Sequence, residues 1–483
     1  MRLDVPHTAP NPTLAGPLRY LLGICLVGLL LRCMHLDERS IWLDEVTSLS
    51  IASLPYTDIL QGVGFDRHTP PFYYLALHAW LLFAPATEIG LRAFSTVFDV
   101  VNIFLLGVLL MRCSERRIAL TGALLYAVSP FAIYYAQEGR MYTLVVSLVL
   151  ATFLLAVRAA HASVTAAQVG MLVLTATAGM YTHYYYALSL AGISLGLTWV
   201  ARRNLSRLVR WYGALTIVGV LFLPWIQVVL ELAGSGGQEF RRFVFLVLPY
   251  ALFRFSAGYA VLPLNYDTKE HVSAAVISEA PAVISYMAAF GLMALWGLWR
   301  LRSNRIFAMF CGALLLPPLA ALIVSLRVPM LSERYLVVSF PFFIALLAVT
   351  LIEAPRLARR IALIALLPLV SWSLWAHYFS PEFSNTQWRA VAQYLSEHSD
   401  TTRTVVVRPG YTASTLRFYL RDELAILPIE ELPTSQDSLW LVDRGPFDTA
   451  LPLAGYEPIL DQLFPLGNGL RLQHLRRSEP LIR

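Results

Sequence analysis

The segment Ile41-Trp42-Leu43-Asp44-Glu45, continuing to Asp66-Arg67-His68-Thr69-Pro70-Pro71-Phe72-Tyr73-Tyr74, decides how the chain is folded. It follows the first long apolar run, sets two adjacent carboxylates just beyond it, and ends at a double proline that opens a second apolar run, 72–84. If that second run crossed a membrane, every later loop would change sides. A span takes about 20 apolar residues, and 72–84 falls well short. It therefore reads as a helix lying along a membrane interface, with Tyr73, Tyr74, His78 and Trp80 as headgroup-level anchors.

Composition makes the membrane the right frame. The chain is 57% hydrophobic and 14% charged, with a mean hydropathy of +0.60, against about 25% charged residues in a soluble domain. The net charge of +6 would suit a nucleic-acid partner, but the arginines cluster at the ends of apolar runs, where topology and anionic lipid account for them. No nucleic acid is expected. Cys25, Cys33, Cys113 and Cys311 lie in or beside apolar runs without metal-ligand spacing. The N-terminal run lacks a basic leader and a small-x-small cleavage site, so it is expected to remain as a helix.

Candidate spans are 17–36, 91–111, 117–135, 141–158, 165–183, 185–201, 211–230, 279–299, 305–326, 335–353 and 359–378. Alternating from a cytoplasmic N-terminus, four basic clusters fall on one side: Arg112/Arg116/Arg117, Arg202/Arg203/Arg207/Arg210, Arg300/Arg302/Arg305 and Arg356/Arg359/Arg360. That is the positive-inside pattern. The segment 240–264, interspersed with Arg241, Arg242 and Arg254, reads as interfacial or re-entrant, with a pair of short spans as the alternative. Residues 1–379 are thus expected to form the transmembrane part, with 37–90 as a first outer loop carrying interfacial helices. Residues 380–483 are expected to form a small extracytoplasmic α/β domain, with strands near 404–407 and 438–442 and a helix near 413–421.

The outer side collects chemistry-bearing residues. Asp44 and Glu45 offer a general base at the membrane surface, or else a cap for the helix that follows. Glu138 and Arg140 share an outer turn, as a surface ion pair or facing a sugar hydroxyl and an anion. Arg92, Arg140 and Arg334 are exceptions to the basic-side rule. A bound phosphate explains them as well as lipid headgroups do. Tyr142 and His183 either line a site or belong to an aromatic belt. Asp99 lies inside a span, where an unpaired charge costs about 2.5–3.5 kcal/mol, and reads as structural, beside Asn102.

These residues resemble a known family. The acidic pair Asp44-Glu45, the Pro70-Pro71…Tyr73-Tyr74 helix, Leu91-Arg92, and Ser129-Pro130…Gln137-Glu138-Gly139-Arg140-Met141-Tyr142 look like the polyprenyl-phosphate-sugar-dependent glycosyltransferases of the GT-C fold. The groups in mind are the family 39 protein O-mannosyltransferase-like enzymes and the lipid A aminoarabinose transferases. The likeness covers residues 17–200 best, and more weakly Ser332–Leu336 and 385–395. It implies a GT-C bundle of about 11 transmembrane helices and an inverting hexosyl or pentosyl transfer to a hydroxyl on glycolipid, polysaccharide or protein. It implies no cofactor and usually no metal, although a divalent cation is compatible with the acids. Carried across, Asp44 is the base, Glu45 assists or positions, and Glu138 is a second acid. His68, Arg92, Arg140, Arg334, Tyr142 and His183 would bind the donor phosphate and sugar, His68 standing where some relatives have a lysine or other basic residue next to proline. A lipid-linked-sugar flippase or a non-catalytic scaffold are the competing readings. The expected location is a bacterial-type inner membrane, with the active site extracytoplasmic.

Overall fold

Apolar runs form the long helices, several of which keep a proline inside (Pro224, Pro281, Pro317, Pro318 and Pro368), and capped or polar loops divide them. In chain order these are α1 (Ala15–Cys33), α2 (Leu43–Ala52), α3 (Tyr56–Leu60), α4 (Phe72–Leu81), α5 (Glu88–Cys113), α6 (Arg116–Ala127), α7 (Pro130–Ala136) and α8 (Tyr142–His161). They continue with α9 (Ala166–Met180), α10 (Tyr185–Ala201), α11 (Leu205–Gly234), α12 (Val244–Ala257), α13 (Val272–Leu301), α14 (Phe307–Ser325), α15 (Phe340–Glu353) and α16 (Arg356–Phe379). A 3-10 segment, Glu333–Ser339, runs directly into α15. The structure is a computed structural model. It describes residues 15–60, 69–234, 244–260, 272–326, 331–381, 386–399, 402–421, 423–432, 436–445, 453, 455–465 and 469–478.

A helix occupies every expected span. Among the described residues, eight helical segments are long and apolar enough to cross a membrane, and α6 with α7, bent by 57°, makes a ninth if the pair is one broken span. α9 and α10 are shorter apolar helices. The chain is a multi-pass membrane protein. The bend between α6 and α7 has a local cause. Ser129 accepts a hydrogen bond from the Ala132 N–H at 3.3 Å, and Pro130 at the first position of α7 has no N–H with which to continue α6.

Helix direction and cross-links sort the loops into two ends. Asn304 donates to the Cys113 carbonyl at 3.0 Å, Arg207 donates to the Ala160 carbonyl at 2.7 Å, and Arg300 pairs with Glu353. All four basic clusters therefore share one end of the bundle. At the opposite end lie the first loop, the turn 137–141, and the starts of α5, α10 and the 3-10 segment. α4 is half the length of a span, but it differs from the expectation in how it is seated. Tyr73 and Tyr74 are buried in the protein, and the Tyr73 hydroxyl donates to the Gly139 carbonyl at 2.8 Å. α12 packs against α7, α13, α16 and the 3-10 segment. Its Arg254 is fully buried, with its guanidinium over the rings of Tyr250 and Tyr259 at 4.7 and 4.8 Å.

Asp99 is spent on structure. Arg32 on α1 donates to it at 2.6 Å and the Tyr126 hydroxyl at 2.9 Å, with Asn102 at 3.3 Å. The expected neighbour Asn102 is present, but the counter-ion is an arginine from another helix.

After α16 comes the small mixed domain: α17 (Trp388–His398), β1 (Thr404–Arg408), α18 (Ala413–Leu420), β2 (Ala425–Pro428), β3 (Ser438–Arg444), β4 (Tyr456–Phe464) and β5 (Leu470–Arg477). The sheet order is β2-β1-β3-β5-β4; β1 runs parallel to β2 and β3, and β5 antiparallel to β3 and β4. β1 and β3 are buried on both faces, as parallel centre strands should be. Val405 and Val407 meet the helices, while Val406 packs with Leu439 and Leu441 on the other face. The domain docks on the first loop. Tyr419 bonds Glu88 and accepts from the Ile41 N–H at 2.8 Å, and Arg389 pairs with Glu88.

α10 and α14 cross with their backbones almost touching. A Cβ on Gly192 would stand 2.1 Å from the Gly312 carbonyl oxygen, and one on Gly196 would stand 2.3 Å from the Met309 Cα. Small residues four apart allow that approach. Gly192→Val should force the helices apart and cost about 1–3 kcal/mol or more. The expected sign is a lowered melting temperature of the purified protein in detergent, with a smaller loss at the uncrowded Gly213.

Candidate active site

The site begins at the first turn of α2. Trp42 is the N-cap, so Leu43, Asp44 and Glu45 fill the first turn, which corrects the cap reading of Asp44. Successive helical side chains diverge by about 100°, and the two acids separate accordingly. Glu45 is 1% exposed, whereas the Asp44 side chain is 31% exposed.

Glu45 is locked to Arg92. Its two oxygens take the Arg92 Nε and Nη2 at 2.8 Å each, and Oε1 also accepts from the Gly139 N–H at 2.9 Å. The remaining Arg92 donors go to the carbonyls of Leu36, Arg39 and Ser40. Every N–H of this buried guanidinium is used within the protein, so none faces an outside phosphate. Gly139 is required where it stands, since a Cβ there would meet Leu91 Cγ at 2.3 Å. One ion pair thus joins the first loop, the start of α5 and the turn before α8.

Asp44 and Glu138 face a different environment. Arg334 Nη1 stands 3.5 Å from Asp44 Oδ2, and its guanidinium is 6.0 Å from the Tyr335 ring centroid. Glu138 is 7% exposed, and its Oε2 has no hydrogen-bond partner among the described residues. Glu138 and Arg140 are therefore not a surface ion pair. Burial pushes the Glu138 carboxyl up to about 8; Arg334 opposes this, Glu45 and Asp44 add to it, and Arg140 opposes it more weakly. Arg140, also buried, donates to the Asp44 carbonyl at 3.3 Å, to Ser48 Oγ at 3.1 Å and to Thr69 Oγ1 at 3.1 Å. His183 packs its ring 5.0 Å from Tyr335 and 6.3 Å from Tyr142, and its Nδ1 accepts from the Tyr185 N–H at 3.1 Å.

The fold thus gathers Asp44, Glu138, Arg140, Arg334, Tyr142 and His183 at one end of the bundle, with Glu45 and Arg92 beneath as support. His68 lies outside the described residues. Among the described residues, no group of three or more His, Cys, Asp and Glu side chains is arranged to hold a metal ion. Sequence reading missed Arg39 and His377, which meet across the end of α16. An arginine beside the acidic pair and a histidine closing the last span were the available signals. The pairing itself, from opposite ends of the helical part, had none.

No protein-family model matches the chain, and no curated protein matches it by sequence. Solved structures do. ArnT from Cupriavidus metallidurans, bound to undecaprenyl phosphate, superposes with a TM-score of 0.58 over 96% of this chain and 98% of that one, at 14% identity. The chain has the GT-C fold. The archaeal oligosaccharyltransferase AglB from Archaeoglobus fulgidus, in complex with an inhibitory peptide and a dolichol-phosphate, gives a TM-score of 0.51 at 13% identity, over 86% of this chain and 64% of that one. Arabinofuranosyltransferase AftD from Mycobacteria gives 0.51 at 14% identity, over 96% of this chain and 42% of that one. Within this GT-C bundle, the gathered side chains occupy the end opposite the basic loops.

Two outcomes are expected. Removing one partner of the buried pair, as in Glu45→Gln or Arg92→Met, should cost about 3–5 kcal/mol, and the double variant Glu45→Leu/Arg92→Met should recover much of it; chemical or thermal unfolding of the three proteins checks this. For Glu138, the folded state keeps its proton to about pH 8 while the unfolded chain releases it near the ordinary value of 4.5. The folded state then binds more protons between those values, so stability falls as pH rises through that window. Glu138→Gln should flatten that part of a melting-temperature profile between pH 5 and 9.

Proposed function

We propose that the chain is a membrane glycosyltransferase that moves a sugar from a polyprenyl-phosphate carrier to an acceptor hydroxyl, with inversion at the anomeric carbon. The observation that carries the reading is Asp44: a half-exposed carboxylate 3.5 Å from Arg334, beside a buried and unbonded Glu138, on a GT-C fold. ArnT bound to undecaprenyl phosphate and AglB with dolichol-phosphate support a lipid-linked donor.

In this reading Asp44 takes the proton of the acceptor hydroxyl as its oxygen bonds to the anomeric carbon. The bond from that carbon to the phosphate oxygen breaks, and the electron pair leaves on the lipid phosphate. Arg334 opposes the developing charge, with Arg140 nearby to hold the anion. Glu138, protonated at neutral pH, donates a hydrogen bond to the donor, and Tyr142 and His183 give the sugar ring an aromatic wall. Arg92 and Glu45 position the base and touch no substrate. No metal is needed for these steps. With the basic loops cytoplasmic, the site and the mixed domain are extracytoplasmic, and the donor tail lies among the helices.

Asp44→Asn should lower transfer by about 10²–10⁴-fold while expression and donor binding stay close to wild type. Activity on a polyprenyl-phosphate sugar that survives this change would sink the assignment of the base. Mass spectrometry of lipid-linked sugars with and without the gene should show one polyprenyl-phosphate sugar accumulating, and the missing surface glycan identifies the acceptor.

A further inference from the structure

Buried arginines in this protein are neutralised by a dedicated carboxylate in two cases: Arg32 by Asp99 and Arg92 by Glu45. Arg39 is treated differently. Its Nη2 donates to His377 Nδ1 at 3.0 Å and to the His377 carbonyl at 3.1 Å, and both acceptors are neutral. No carboxylate lies within 4.0 Å of it among the described residues, and its Nε and Nη1 make no hydrogen bond there.

The neutrality of His377 follows from its partners. Gln137 Nε2 donates to the carbonyls of Arg32 at 3.0 Å and Met34 at 2.7 Å, which fixes that amide. Gln137 Oε1 must then accept, so His377 Nε2 carries the proton across 2.9 Å. Nδ1 is left as the acceptor for Arg39. The relay holds the guanidinium in place without cancelling its charge. Meanwhile Arg92 holds the Arg39 carbonyl at 2.9 Å, so both ends of the residue are pinned.

The charge faces the site. The Arg39 guanidinium is 5.8 Å from the Tyr134 ring centroid, and Tyr134 is within electrostatic reach of Arg334 and Glu138. We propose that Arg39 binds the phosphate of the donor lipid, held for that task by the His377–Gln137 relay. This rests on the glycosyltransferase reading above and names a residue for its donor subsite. A half-buried cation with two unused nitrogen donors is a site for a charge-assisted, forked contact to phosphate. Burial depresses its pKa, Tyr134 opposes this and Arg92 adds to it; a bound anion relieves that cost.

The test is native mass spectrometry of the purified full-length protein with undecaprenyl phosphate, and separately with phosphatidylglycerol as the bulk-lipid arm. Arg39→Gln should weaken undecaprenyl phosphate binding about 10–100-fold, and Arg39→Lys should retain part of it. His377→Glu offers Arg39 a carboxylate inside the protein. It should weaken binding similarly while holding or raising the melting temperature, which a merely structural arginine would not do. Undecaprenyl phosphate binding unchanged in Arg39→Gln and His377→Glu overturns this inference alone. An equal loss of phosphatidylglycerol shows a general headgroup contact and also overturns it. A wild-type protein with no preference for undecaprenyl phosphate overturns both this inference and the donor reading.

Discussion

The Glu45–Arg92 ion pair is the contact on which the rest of the site depends. It is buried on both sides, and an arginine stripped of water is tolerable only if its charge and all its donors are met. The protein meets them with one carboxylate and three backbone carbonyls. The loop after α1 must therefore curl over Arg92. Because Glu45 also accepts from Gly139, the turn carrying Glu138 and Arg140 is fixed to the same point. Asp44 inherits its position from its neighbour: with Glu45 anchored inward, the helix turns Asp44 outward.

The same demand explains how the charges are distributed. Deep in the bundle, Arg32 and Asp99 form a closed pair. At the site end, Arg334 has a loose partner in Asp44, and Arg39 is held by neutral groups. A membrane interior makes unpaired charge expensive, and on the proposed reading these loosely met arginines are where the donor's anion is received. Glu138 fits that pattern from the other side, since burial pushes its carboxyl up to about 8.

The mixed domain reinforces this end. Glu88 opens α5 one turn before Arg92, and it receives Tyr419 and Arg389 from the domain together with the Ile41 N–H from the first loop. The domain thus bears on the loop that presents Asp44. α18 carries Tyr419 into that contact and α17 carries Arg389.

Much of this was legible in the chain itself. Apolar length marks the spans, the arginine clusters mark one end, and the shortness of 72–84 keeps the loops in register, because each depends only on local composition. The strand pair β1 and β3 was readable as β-branched and apolar runs. α17, β2, β4 and β5 were not, since β4 and β5 mix charge with apolar residues on a half-exposed hairpin. The outer-side acids and arginines were legible as candidates, but their pairings were not. The family resemblance set Asp44 apart from Glu45, but the residues alone did not, nor did they set Arg92 apart from Arg334, because which carboxylate is consumed by which arginine is a matter of distance across helices. By itself the sequence determined a polytopic bundle with acids and arginines gathered at one end. Only the tertiary structure decided which charges close on one another and which stay loosely met, because burial and partner geometry belong to the folded chain.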